Sequence, residues 1–106
     1  MVTFKEFQNL DLRVGKVVAV DAVPGADRLY KLTVDMGGKE ITLAAGLKAY
    51  YKPEDMKGKK IIVVANLDPV TLKGVKSEGM LLAAQDGSVV SLLTVDRDVK
   101  PGSKIL

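Results

Sequence analysis

Neither cysteine nor histidine occurs in the 106 residues. Their absence excludes disulfides, Cys/His zinc sites, thiol nucleophiles and histidine-based triads. Tryptophan is missing too, and aromatic residues make up 5% of the chain, so any stacking surface for a nucleic-acid strand rests on Tyr30, Tyr50, Tyr51, Phe4 and Phe7. No apolar run approaches the roughly 20 residues that cross a bilayer, and Met1-Val2-Thr3-Phe4-Lys5 lacks a signal-peptide core. A cytoplasmic chain without membrane attachment is therefore expected. Charge of neither sign dominates: 16 basic against 13 acidic residues give a net charge of +3, a mild excess and not a polybasic tail.

What is present suits one compact domain spanning 1–106, since 47% of the residues are hydrophobic. The chain is organised around Lys59 to Gln85. Lys60-Ile61-Ile62-Val63-Val64-Ala65 and Met80-Leu81-Leu82-Ala83-Ala84 are short, nearly continuous apolar runs, and at this length each predicts a buried strand. Between them, Asn66, Asp68-Pro69 and Gly74 mark a polar loop that carries Lys73, Lys76 and Ser77-Glu78-Gly79-Met80. A loop framed by two strands can present side chains to a ligand.

Elsewhere, Thr3-Phe4-Lys5-Glu6 predicts a capping box and a short helix, with Phe4, Phe7 and Leu10 on one face. From Asp11 to Val23, alternation predicts a long first strand whose inward set is Leu12, Val14, Val18, Val20 and Ala22, bent by a bulge at Gly15. Pro24-Gly25-Ala26-Asp27 turns the chain. Tyr30, Leu32 and Val34 then face inward, Met36-Gly37-Gly38-Lys39 forms a hairpin, and Ile41, Leu43 and Ala45 face inward on the third strand. Leu47 to Tyr51 and Pro53 to Gly58 predict two helical turns that plug one end of a barrel. Asp86-Gly87 leads into a last strand over Val89–Val95, and a Pro101-Gly102 turn precedes Lys104-Ile105-Leu106. The resulting expectation is an all-β, five-stranded OB-fold Greek-key barrel with a short N-terminal helix and a C-terminal extension.

Asp11-Leu12-Arg13-Val14-Gly15-Lys16-Val17, Gly25-Ala26-Asp27-Arg28-Leu29-Tyr30, Ala45-Gly46-Leu47, Tyr50-Tyr51 with Pro53-Glu54, and Ser77-Glu78-Gly79-Met80-Leu81-Leu82-Ala83 follow one another in the order seen in a known family. Together with Pro101-Gly102-Ser103-Lys104-Ile105, they resemble the structure-specific tRNA-binding domain, which occurs as free-standing dimers and as the C-terminal domain or beta subunit of methionyl-tRNA synthetase. The resemblance implies non-catalytic recognition of the shape of the tRNA elbow. It implies RNA contacts at Ser77 and Met80 of the Ser-x-Gly-Met motif, and it raises Arg13, Lys16, Arg28, Lys31, Lys48, Lys73 and Asn66 as further candidates. It also implies a homodimer, for which Phe4, Phe7, Val89, Leu92 and Val95 are the interface candidates, and a methionyl-tRNA synthetase as a further partner. In one respect the chain departs from the pattern, reading Leu67-Asp68-Pro69-Val70-Thr71 where many relatives carry basic residues. An acid facing phosphate repels it, so either RNA binding is weaker than is typical or the basic surface lies elsewhere.

Asp96-x-Asp98 and Lys76-Ser77 are the nearest approaches to a metal site or a catalytic dyad, and both read as solvated loop. No enzyme activity, metal or cofactor is expected. The rival reading is a chaperone-like or complex-assembly module, because some relatives are described in that way and the net charge is small.

Overall fold

The computed structural model describes residues 1–106, of which eight are helical. At the N-terminus α1 (Phe4–Phe7) is capped as the sequence predicts: the Glu6 amide donates to Thr3 Oγ1 at 3.1 Å and the Thr3 amide to Glu6 Oε1 at 3.2 Å. Three long strands follow, β1 (Leu12–Val23), β2 (Ala26–Asp35) and β3 (Glu40–Ala45). The second helix, α2 (Pro53–Met56), opens on the proline, whose missing N–H costs nothing at that position. Beyond it lie β4 (Lys60–Val64), β5 (Val70–Leu72), β6 (Val75–Ser77), β7 (Met80–Leu81), β8 (Ala83–Asp86) and β9 (Val89–Leu92).

Five strands share one antiparallel sheet in the order β3-β2-β1-β4-β7, while β5-β6 and β8-β9 are separate two-stranded ribbons. Alternation fixes the inner face: Tyr30, Leu32, Val34, Ile41, Leu43 and Ala45 are all buried, as predicted, against Val17, Ile61 and Val63. Met56, fully buried, brings α2 onto this core. Truncating any of these large side chains to alanine costs about 2–5 kcal/mol.

β1 serves two partners, pairing with β4 over Leu12–Lys16 and with β2 from Lys16 onward. The edge that β2 leaves vacant at Leu12–Val14 is filled by the C-terminal segment, through Val14 N to Ser103 O at 2.9 Å, Gly102 N to Val14 O at 2.7 Å and Ile105 N to Leu12 O at 2.9 Å. The bulge expected at Gly15 lies elsewhere. Gly15 pairs regularly with Ile61, and the register shifts between Val17 and Ala19 and between Ala22 and Val23. A Cβ on Gly15 would stand 2.5 Å from Val34 Cγ1, so packing is what demands glycine there. Of the predicted inward set Val14 is buried, while Val17 and Val23 are buried in place of Val18, Val20 and Ala22.

Two further expectations change. The run Met80–Ala84 is not one buried strand: Met80 is 50% exposed, β7 ends at Leu81, and Ala83 begins β8, which is exposed throughout. Leu82 is the joint, its amide donating to Ile62 O and its carbonyl accepting from Leu93 N. The last strand stops at Leu92 and does not continue to Val95. No helix is long and apolar enough to cross a membrane.

Candidate nucleic-acid interface

The polar loop between β4 and β7 contains a hairpin. Val70, Leu72, Val75 and Ser77 alternate around Lys73-Gly74, where φ is +50° and +81°; this pair of left-handed residues is what a tight two-residue turn between twisted strands requires. Val75 anchors the hairpin by packing with Val23, Ala26, Leu29 and Ala44 in a second, small core outside the main one. That contact sets the hairpin's turn beside the β1–β2 turn. Lys73 consequently lines the same surface depression as Gly25, Ala26, Asp27, Arg28 and Leu29.

The next depression along the surface is lined by Lys31, Thr42, Gly74, Val75, Lys76 and Glu78. A third shares Lys76 and Glu78 with it and adds Lys39, Glu40 and Pro69, and a fourth reaches from Lys39 to Arg13. The first two hollows lie where the β5-β6 hairpin meets β2 and β3, and the other two lie around the Met36–Lys39 hairpin. The chain's two ion pairs are Arg13–Asp11 and Lys60–Asp98, so Arg28, Lys31, Lys39, Lys48, Lys73 and Lys76 are exposed and free of carboxylate partners. The backbone of Lys48 is tied to that of Arg28, its amide donating to Arg28 O at 3.3 Å.

The structure therefore brings Arg28 and Lys73 together in one hollow and sets Lys31 in the next, while Lys48 lines neither. Lys39 and Lys76 join them and were missed; alternation around buried Val75 and Ser77 is the signal that would have pointed Lys76 outward. Arg13 stands at the far end, its guanidinium held by Asp11 Oδ1 at 2.8 Å and Gly102 O at 3.2 Å. Lys16 is exposed on β1, near Asp98 and outside the four hollows. Asn66 is a fastener: its amide nitrogen donates to Asn9 O at 2.7 Å and its oxygen accepts from Asp11 N at 2.9 Å, which ties the β4 end to the α1–β1 link.

Ser77 departs from the contact role that resemblance implies. It is 3% exposed, its hydroxyl donates to Gly79 O at 2.9 Å and accepts from Ala44 N at 3.0 Å, and nothing remains to offer a phosphate. Beside it, Glu78 N donates to Thr42 O at 2.8 Å while Thr42 N donates to the Glu78 carboxylate at 3.2 Å. Ser77 and Glu78 stitch the outer edge of β3, satisfying backbone groups that an edge strand would otherwise expose. Met80, three residues on, remains accessible.

A second, different surface lies at the N-terminal end. Phe4, Phe7, Gln8, Leu10, Leu12, Lys104, Ile105 and Leu106 line a groove of about 330 Å³ that is mostly apolar. Phe4 is 74% exposed, and Phe7 and Val89 are exposed as well. Leu92, an expected interface residue, is instead buried in the chain's own core with its amide on Tyr51 Oη at 3.0 Å, and Val95 is half-buried.

An unpaired row of cations spread over shallow hollows suits a large polyanion held by its backbone, not a small molecule enclosed in a pocket. Residues 12–104 match the model of the family described as "Putative tRNA binding domain", and the chain belongs to that family. It is similar to the methionine--tRNA ligase of Pyrococcus furiosus, with 54% identity over 104 residues that make up 98% of this chain and 14% of that protein. Similarity to the methionine--tRNA ligase of Methanocaldococcus jannaschii is also 54%, over 99 residues covering 92% of this chain and 15% of the relative. The chain spans about a seventh of the length of these curated relatives. Among solved structures, a MetRS-related protein from Pyrococcus horikoshii superposes with a TM-score of 0.94 at 34% identity, covering 100% of this chain and 98% of that one. The chaperone CsaA from Bacillus anthracis gives 0.89 at 31%, covering 100% and 99%.

Proposed function

We propose that the chain binds folded tRNA without catalysis, reading the shape of its elbow through the face that carries Arg28, Lys31, Lys73 and Lys76. The observation that carries this reading is that these four cations, with Lys39, line adjoining hollows and have no carboxylate partner, in a member of a tRNA-binding family. Met80 adds a polarizable contact, and Ser77 acts by holding the Ser77–Glu78 segment on β3. The scaffold over 1–106 is a single five-stranded OB barrel; the order β3-β2-β1-β4-β7 and the bonds from Ser77 and Glu78 to β3 support it.

Two copies associate through the apolar groove of α1 and the C-terminal segment, with exposed Phe4 and Phe7 at its rim and Val89 contributing from β9. The dimer works in the cytoplasm beside, or as part of, a methionyl-tRNA synthetase, which the similarity to the methionine--tRNA ligases supports. Affinity for tRNA, for an unstructured RNA of equal length and for an unfolded polypeptide, measured at two salt concentrations, tests the assignment. Folded tRNA is expected to bind best and to weaken with salt. The chaperone relatives favour the polypeptide as a second reading, and stronger binding of the unfolded polypeptide than of tRNA would establish it in place of the first.

A further inference from the structure

Of the chain's three tyrosines, two are committed to its own structure. Tyr30 is buried and donates its hydroxyl to Tyr51 O at 2.7 Å. Tyr51 accepts the Leu92 amide on its hydroxyl at 3.0 Å, packs against the main core and has the Lys59 ammonium 6.0 Å from its ring centroid. Tyr50 is different: it is 47% exposed and belongs to neither core.

The backbone that carries Tyr50 is nonetheless fixed. Buried Leu47 accepts the amides of both Tyr50 and Tyr51 at 2.9 Å, and Pro53 opens α2 two residues after Tyr51. Through the Lys48 amide on Arg28 O, this turn is fastened to the end of the cation row. An exposed aromatic ring on a rigid turn, which carries Lys48 and is bonded through its backbone to Arg28, combines the two elements by which proteins hold unpaired nucleotides: a stacking platform and phosphate-binding charge. A tyrosine is suited to this because its flat ring loses little conformational freedom on contact.

We propose that Tyr50, Lys48 and Arg28 form a binding site for one unpaired nucleotide, the base stacked on the Tyr50 ring and the phosphate held by Lys48 and Arg28. The site rests on the RNA-binding reading above and sharpens it, because it requires an RNA that presents a base free of its neighbours. Charge alone would accept any duplex; Tyr50 distinguishes a folded RNA with an exposed base from one without.

The test titrates labelled tRNA and a blunt-ended RNA duplex with the wild-type chain and with Tyr50→Phe, Tyr50→Ala and Lys48→Ala, at two salt concentrations. Tyr50→Ala is expected to weaken tRNA binding about tenfold with an unchanged salt slope, and to leave duplex binding unaltered. Tyr50→Phe keeps the ring and is expected to match the wild type, and Lys48→Ala lowers the salt slope by about one unit. Wild-type affinity for tRNA in Tyr50→Ala, or an equal loss for tRNA and duplex, would overturn the nucleotide site while leaving the RNA reading intact. Failure of the wild-type chain to bind either RNA would overturn both.

Discussion

The face across β2, β3 and the β5-β6 hairpin and the groove between α1 and the C-terminal segment are opposites in chemistry. The first is a succession of shallow hollows that each hold two cations among polar and apolar neighbours; the second is one groove lined by Phe4, Phe7, Leu10, Leu12, Ile105 and Leu106. Exposed lysines bind a polyanion by displacing its counterions and tolerate an open surface, whereas apolar groups need a complementary surface that excludes water.

If the two faces are independent, each can be broken alone. The largest effect is expected from Lys31→Ala combined with Lys73→Ala: binding of tRNA falls about tenfold or more and the salt slope shrinks by about two units, while sedimentation gives an unchanged mass. Phe7→Glu does the reverse, placing a charge in the apolar groove. Sedimentation equilibrium is expected to return a monomer, with the salt slope per protomer preserved.

Between these lie two changes in the β4–β7 loop. Ser77→Ala leaves the Ala44 amide without its partner and is expected to cost about 1–3 kcal/mol in chemical unfolding. Its RNA affinity should follow the stability of the hairpin, and restoring the hydroxyl with Ser77→Thr should recover part of it. Asp68→Lys adds a cation beside Pro69, which borders the third hollow, and is expected to steepen the salt slope by about one unit.

The smallest expected effect is on pH. The Lys60 ammonium bonds to the Asp98 carboxylate and the Val99 carbonyl, and this hydrogen bond, reinforced by the charge of Lys60, holds Asp98 below the usual aspartate range. A carboxylate with a lowered folded pKa contributes stability above its unfolded pKa and loses it as pH falls through the folded value. Thermal melts are therefore expected to show Asp98→Asn slightly less stable than the wild type near neutrality and equal to it in strong acid. Because Asp98 is exposed, the difference is small.

Much of the scaffold was legible in the sequence because it follows local rules. The Thr3–Glu6 capping box, the alternation of Tyr30, Leu32 and Val34, the Met36–Lys39 hairpin and proline at the head of α2 are decided by neighbours within a few residues. The register shift after Val17 and the split at Leu82 are decided by partners far along the chain, β2 in one case and β4 and β9 in the other. The site divides in the same way. Arg28 and Lys73 could be suspected from their motif and loop, but their proximity depends on Val75 docking onto Val23 and Ala26. Ser77 could be recognised as important without revealing that its hydroxyl is turned inward to β3.

The central claim is that RNA binds the β2–β3 face and not the apolar groove. Backbone amide shifts of the ¹⁵N-labelled chain, followed while tRNA is added, test it most directly. The account predicts that perturbations concentrate at Arg28, Lys31, Lys39, Lys73, Lys76 and Tyr50, leaving Phe4, Phe7 and Ile105 unmoved. Perturbations confined to Phe4, Phe7, Leu10 and Ile105 would contradict it.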